Sequence, residues 1–285
     1  MKAPGYDGFH LGFIKKMWNV IGDDFSEVVI YFFITVRLPH SLNTTLVTLI
    51  PKVQGAKEVT QFRPISMVGC IYKVIAKIMA DRLKQVIQPL VSDTQSAFIA
   101  GRSILDGVLV ANELVHWFKK NKDTQGLMIK LDFHKAYDTL RWDFVDSILE
   151  LMGFGKIWRG WISEFITIAI ISILVNGTPT TPFQMRRGLR QGDPLSPFLF
   201  FLATEGFNQL VRRGLIAGVL RGLKVGHEQL EVSHLQYADD TMVFCEASRD
   251  NVLNWRRVLD CFSILSGLRI NSSKTEVIGL GTNMN

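Results

Sequence analysis

Two short apolar stretches that run into carboxylates constrain this chain more than any other feature of its sequence. In the first, Gly126 opens Leu127-Met128-Ile129-Lys130-Leu131, and Asp132 follows at once. In the second, Tyr237-Ala238-Asp239-Asp240 is bracketed by His234-Leu235-Gln236 and by Thr241-Met242-Val243-Phe244. Short apolar runs bounded by turn-forming residues read as strands. Asp239-Asp240 then reads as the acidic tip between two of them. Adjacent carboxylates at a tight turn repel, and a divalent cation would relieve that repulsion. If the strands lie side by side, Asp132, Asp239 and Asp240 converge at one edge of a sheet. Hard oxygen ligands of this kind suit Mg²⁺, which keeps part of its shell for waters and phosphates. Two such ions about 4 Å apart can activate an attacking hydroxyl and stabilise a leaving oxygen. The plainer alternative is a solvated turn, where Asp is common.

The rest of the chain is read as mixed helices and strands. Thr45 to Ile50 reads as a strand ended by Pro51. Residues 68–88 show helical spacing through Ile71, Val74, Ile75, Ile78 and Val86, with Pro89 as the stop. A second helix is expected over 105–119 and a third from Trp142 to Met152. The run Phe165 to Val175 reads as a buried strand, turning at Asn176-Gly177 towards another at Phe183 to Met185. Ser196-Pro197 is a helix start, with Ser as cap and Pro at the first helical position. Residues 219–246 read as successive short strands with turns near Gly226-His227 and Asp239-Asp240. Residues 250–265 read as helical, with short strands after them. Several antiparallel hairpins among helices favour an α+β fold over a doubly wound parallel sheet.

Composition excludes several classes. The 285 residues are 47% hydrophobic and 20% charged, which is ordinary for a globular chain and unlike a disordered one. The net charge of +6 makes a polyanion a plausible partner. Cys70, Cys245 and Cys261 make no CxxC and no even disulfide framework. No HExxH or Cys/His zinc spacing occurs. The apolar run Val28 to Val36 is too short to span a bilayer, and the N-terminus lacks the apolar core of a signal peptide. Arg186, Arg187 and Arg190 form a basic cluster that could follow a nucleic-acid backbone or stand as a solvated loop. Trp142, Trp158 and Trp161 fall at helical spacing and read as packing residues.

A series of blocks, in order, makes the chain recognisable: Ala3-Pro4-Gly5-Tyr6-Asp7-Gly8; Leu49-Ile50-Pro51-Lys52; Phe62-Arg63-Pro64-Ile65-Ser66; Gln95-Ser96-Ala97-Phe98 with Gly101-Arg102-Ser103-Ile104. Then come Leu131-Asp132-Phe133-His134-Lys135-Ala136-Tyr137-Asp138, Gly188-Leu189-Arg190-Gln191-Gly192-Asp193-Pro194-Leu195-Ser196-Pro197, Tyr237-Ala238-Asp239-Asp240, and Gly267-Leu268-Arg269-Ile270-Asn271 with Lys274. With these blocks the chain resembles the reverse transcriptases of non-LTR (LINE-type) retrotransposons, most like those of plants. The resemblance implies the fingers and palm of a right-hand polymerase, with helices around an antiparallel palm sheet. Residues 32–285 would be the reverse transcriptase domain, and 1–31 an extension carrying the start of the fingers.

The family roles carry over position by position. Asp132, Asp239 and Asp240 would be the ligands of two Mg²⁺ ions, with Mn²⁺ as a substitute. Arg63 would contact the triphosphate of the incoming deoxynucleotide, with Lys52 and Phe133 as neighbours. Tyr137 would lie beneath the sugar and reject a 2′-hydroxyl. Gln191 and Gly192 would pack against nucleotide and template, and Lys274 would protonate the leaving pyrophosphate. An RNA template and a DNA primer are the implied partners, with no membrane involved, and the nucleus is the implied place of action. His134 stands where relatives usually have Glu, and Tyr237 where this family more often has Phe. The family's endonuclease and thumb have no counterpart in this sequence, so the chain is expected to be a fragment. The rival readings are a catalytically silent remnant that at most binds nucleic acid, and a two-metal nuclease. The latter leaves the Arg190–Pro197 block and Tyr137 unexplained.

Overall fold

The computed structural model describes residues 4–97, 99, 101–121, 125–226 and 228–281. Ala3, Phe98 and His227 of the blocks and turns above lie outside the described residues. In chain order the first elements are α1 (Leu11–Lys16), α2 (Trp18–Thr35), β1 (Thr44–Pro51), β2 (Phe62–Val68), α3 (Cys70–Val86), α4 (Ile104–Lys120) and β3 (Gly126–Leu131). Then follow α5 (Ala136–Thr139), α6 (Trp142–Leu151), α7 (Lys156–Thr167), β4 (Ile170–Val175), β5 (Thr178–Pro179) and β6 (Phe183–Gln184). The last are α8 (Ser196–Ile216), β7 (Leu223–Val225), β8 (Leu230–Val232), β9 (His234–Tyr237), β10 (Asp240–Glu246), α9 (Arg249–Ser266) and β11 (Glu276–Leu280). The fold is α+β, as expected. The chain divides into one unit of residues 1–85 and 145–199 and a second of 86–144 and 200–285.

The first unit is built on a sheet ordered β2-β1-β4-β5, with β6 also paired to β4. Strand β1 runs antiparallel to β2, from Thr45 opposite Val68 to Pro51 opposite Phe62. It runs parallel to β4, from Thr44 opposite Ile170 to Val47 opposite Ile173. One expectation fails here. Phe165 to Thr167 finish α7 rather than open a strand, and β4 starts only at Ile170. The run is uniformly apolar, so periodicity cannot separate a buried helix end from a strand. Helix α2, for which the sequence carried no reading, takes in all of the apolar run from Val28 except Val36, which caps it. Gly22, Phe25, Val29 and Phe32 are its buried stripe, while Val20, Ile30 and Ile34 are exposed on its other side. What decides it is packing: the Phe32 ring meets Phe165 edge-on at 5.3 Å. Trp158 and Trp161 behave as packing residues. Trp158 meets Trp161 edge-on at 5.7 Å, and Trp161 meets Phe33 at 5.0 Å.

The second unit is built on an antiparallel sheet ordered β11-β3-β10-β9, with the β7–β8 ribbon beside it in sequence. Leu114 and Phe118 of α4, Leu223, Phe244 and Leu280 form one buried cluster within it. Helix α4 starts at a capping box, with Ser103 accepting from the Leu105 amide and Asp106 accepting from the Ser103 amide. Helix α9 starts at Ser248 and ends at Gly267, whose φ of 79° closes the last turn. A side chain at Gly267 would collide with the Thr139 carbonyl, so this end also fixes the α5 loop. Among the described residues no helix is long and apolar enough to cross a membrane.

Candidate polymerase active site

The second unit brings the predicted acids to one sheet edge. Strand β3 pairs with β10 so that Leu131 faces Thr241, which sets Asp132 and Asp240 at neighbouring strand ends. Asp240 pairs with Tyr237 across the β9–β10 hairpin, leaving Ala238 and Asp239 as a two-residue loop. Such loops favour a positive φ at their first central residue, a place usually filled by Gly. Here Ala238 takes it, at φ 56°. Asp239 and Asp240 are exposed and Asp132 is half-buried.

Asn271 anchors Asp132. Its amide donates to the Asp132 carbonyl at 2.7 Å, and its carboxamide donates to Asp132 Oδ2 at 2.9 Å. The Asn271 carbonyl accepts from the amides of Lys274 and Thr275, so one residue orders both an acid and the exposed turn bearing Lys274. Phe133 is buried, its ring meets Phe262 edge-on at 6.2 Å and its backbone bridges Ile270, so its side chain packs in the core rather than facing a nucleotide. Tyr137 on α5 stacks on Phe200 at 4.9 Å with 13° between the planes. Burial pushes its hydroxyl up to about 12, helped by the Asp239 charge. Tyr137 therefore stays protonated and faces the aspartate turn.

The chemistry of this donor set fits a hard divalent cation: three carboxylates on adjoining strand ends, with one oxygen of Asp132 held by an amide. Among the described residues no three acidic, His or Cys side chains are gathered tightly enough to form a finished metal cluster.

The first unit carries the remaining predicted residues. Arg63 lies on β2 opposite Ile50 and is exposed. Lys52 follows β1, exposed, with Nζ donating to the Thr60 carbonyl at 3.2 Å. The Gln191 carbonyl accepts from the Ser66 amide of β2 at 2.8 Å. Gly192 has φ 97°, a conformation that favours glycine, and a side chain there would sit a tight 3.3 Å from the Ser66 carbonyl. Lys52, Arg63, Gln191 and Gly192 thus gather on and beside β2.

One expectation about this loop is corrected. Arg186 and Arg187 are exposed, but Arg190 is buried and cannot follow a nucleic-acid backbone. Its guanidinium donates to Asn43, to Thr45 Oγ1 at 3.1 Å, to the Phe165 carbonyl at 2.8 Å and to the Tyr72 hydroxyl. It also lies over the Tyr72 ring at 4.2 Å. The Tyr72 hydroxyl in turn donates to Asp193, and burial holds its pKa well above the usual value. Sequence reading missed this network because its members are spread from Asn43 to Asp193.

A model of the family described as reverse transcriptase (RNA-dependent DNA polymerase) matches residues 50–281. The chain belongs to that family. It is 30% identical over 277 residues to the transposon TX1 uncharacterized 149 kDa protein of Xenopus laevis, covering 96% of this chain and 20% of that protein. It is 27% identical to the Pol polyprotein of the type-2 retrotransposable element R2DM of Drosophila melanogaster, covering 86% of this chain and 22% of that protein. The chain therefore spans about a fifth of these relatives' length. Among solved structures it is similar to telomerase of Candida tropicalis, with a TM-score of 0.59 at 13% identity over 87% of this chain and 52% of that one. It is similar as well to telomerase of Candida albicans in complex with a telomeric RNA fragment, with a TM-score of 0.58 at 12% identity over 85% and 44%. The fold is that of polymerase fingers and palm, and the kinship is with non-LTR retrotransposons. Reverse transcriptases as a family work with divalent metal ions.

Proposed function

We propose that this chain is the catalytic part of a non-LTR retrotransposon reverse transcriptase, adding deoxynucleotides to a primer 3′-hydroxyl on an RNA template. The observation that supports this most is the β3–β10 register, which sets Asp132 beside Asp240 with Asp239 on the adjoining loop. In this reading those carboxylates hold two Mg²⁺ ions, and bound ions supply activation of the hydroxyl and neutralisation of phosphate charge. Arg63 and Lys52 hold the triphosphate, and Gln191 and Gly192 shape the wall of the nucleotide site. The primer 3′-hydroxyl gives up its proton to solvent as its oxygen attacks the α-phosphorus, the bond to pyrophosphate breaks, and Lys274 gives the leaving group its proton. Tyr137, fixed against Phe200, limits room at the sugar C2′. The protein's share is positioning and charge stabilisation.

The test is primer extension on poly(rA)/oligo(dT) with Mg²⁺ and dTTP, run beside the Asp239→Ala/Asp240→Ala variant. Extension by the wild type alone supports the reading. No extension by a folded wild type would favour a silent remnant, and equal extension by the variant would refute the assigned ligands.

A further inference from the structure

The block Gln95-Ser96 with Arg102 has no part in the chemistry above, yet it is among the most heavily bonded segments of the second unit. We propose that Gln95 is a positioning residue for the aspartate turn: its buried carboxamide holds the Ala238 amide and so fixes where Asp239 and Asp240 sit. The catalytic consequence rests on the polymerase reading; the clamp itself does not.

Segment 94–96 lies along β9, the edge strand of its sheet. The Gln236 amide donates to the Thr94 carbonyl at 2.8 Å and the Ser96 amide to the Gln236 carbonyl at 3.1 Å, making a parallel bridge between Gln95 and Gln236. From there Gln95 reaches past the end of the strand. Its Oε1 accepts from the Ala97 amide at 3.0 Å and from the Ala238 amide at 3.2 Å. Ala238 is the residue strained at φ 56°, immediately before Asp239. A non-glycine residue stays in that region only where its surroundings hold it. Gln95 is 1% exposed, and its Nε2 has no hydrogen-bond partner, so the two acceptor bonds alone orient the carboxamide. Gln236 works from the other side, with Nε2 donating across the hairpin to Thr241 Oγ1 at 3.3 Å.

Arg102 makes the clamp stiff. Its Nη1 donates to the carbonyls of Ser92 at 2.6 Å and Gln95 at 2.7 Å, and its Nη2 to Asp93 Oδ1 at 3.0 Å. The planar fork ties the segment into one conformation, from which Gln95 can act on the turn without touching substrate.

Two readouts test this on the full chain. Residue-resolved amide exchange should show Ala238 exchanging about 100-fold slower than an unprotected amide in the wild type, although its neighbour Asp239 is exposed. Gln95→Leu should remove that protection, and Gln95→Glu, which keeps an acceptor oxygen, should retain it. In primer extension Gln95→Leu should lower kcat about tenfold or more while KM for dTTP stays within about twofold, the mark of misplaced ligands rather than lost nucleotide binding. An unprotected Ala238 amide in the wild type, or equal protection in Gln95→Leu, would overturn the clamp. Lost protection with unchanged kcat would overturn its catalytic role. A wild type that does not extend primers would count against the polymerase reading, and the exchange comparison would still decide the clamp. Should Gln95→Leu fail to fold, the wild type and Gln95→Glu decide it.

Discussion

Arg190 with Asp193 in the first unit and the aspartates in the second are both charge-bearing loop clusters, and they are solved in opposite ways. Arg190 and Asp193 are buried, and the polar groups around them are bonded to one another: Asn43, Thr45, Tyr72 and the Phe165 carbonyl. A charge removed from water must be matched by such bonds, so this cluster has nothing left to offer a ligand. Asp239 and Asp240 stay exposed at a hairpin tip, and effort goes into the backbone beneath them instead: the Gln95 acceptor, the β10 pairing and the Asn271 anchor of Asp132. The buried charges are held by bonds among themselves, whereas the exposed pair is positioned through the backbone beneath it.

The largest effect that could break this comparison is on activity. Asp239→Ala/Asp240→Ala should cut nucleotide incorporation by about 10³-fold or more while leaving the unfolding midpoint close to wild type. A large loss of stability would show that the exposed aspartates also hold the fold. Arg190→Met should do the reverse, costing about 3–5 kcal/mol of stability in denaturant unfolding because the buried Asp193 loses its charge partner and Asn43 Oδ1 its donor. If that variant unfolds like the wild type but no longer extends primers, Arg190 belongs with the chemistry after all.

A buried polar centre in the second unit sharpens the contrast. His234 is buried; its Nε2–H donates to Asn208 Oδ1 at 2.7 Å and its Nδ1 accepts from Ser233 Oγ at 2.9 Å. Burial depresses its pKa to about 4. The unfolded chain takes up the proton first as pH falls, so this stability is complete above about 6.5 and lost on the way down to about 4. The loss should be about 3 kcal/mol over that window, measured by denaturant unfolding, and flatter in His234→Asn. An acid profile unchanged by that substitution would mean the site opens to water before it titrates. The smallest effect concerns Tyr137. Tyr137→Ala should raise ribonucleotide relative to deoxynucleotide incorporation by about 10–100-fold, by opening space under the sugar. An unchanged ratio would return Tyr137 to packing alone.

Much of the fold was legible because its signals are local. Ser196-Pro197 marks a helix start, helical spacing marks 105–119 and 250–265, and the Asn176-Gly177 turn marks a hairpin. The apolar runs 127–131 and 241–244 alternate poorly but are short, and both proved to be central strands. What failed was uniformly apolar sequence. At Phe165–Thr167 no polar period separates helix from strand, and only the partner surface selects the helix; in α2 the polar residues Asp23, Asp24 and Glu27 interrupt the apolar run, and the Gly22, Phe25, Val29 and Phe32 stripe was the signal passed over. In the site, the acids, Arg63, Lys52 and the Gln191-Gly192 loop could be named from the ordered blocks. Arg190 looked like its exposed neighbours Arg186 and Arg187, because charge alone does not report depth.

The sequence by itself therefore determined the family, the α+β character and the identity of the acid-bearing strands, since these rest on residue types at fixed short spacings. Tertiary structure alone decided that Arg190 is buried, that Asn271 orders Asp132, and that Gln95 reaches Ala238 across 143 positions. Hydrogen-bond partners far apart in the chain leave no periodic trace. Their pairing is set by strand register and helix docking, which depend on the whole packed core at once.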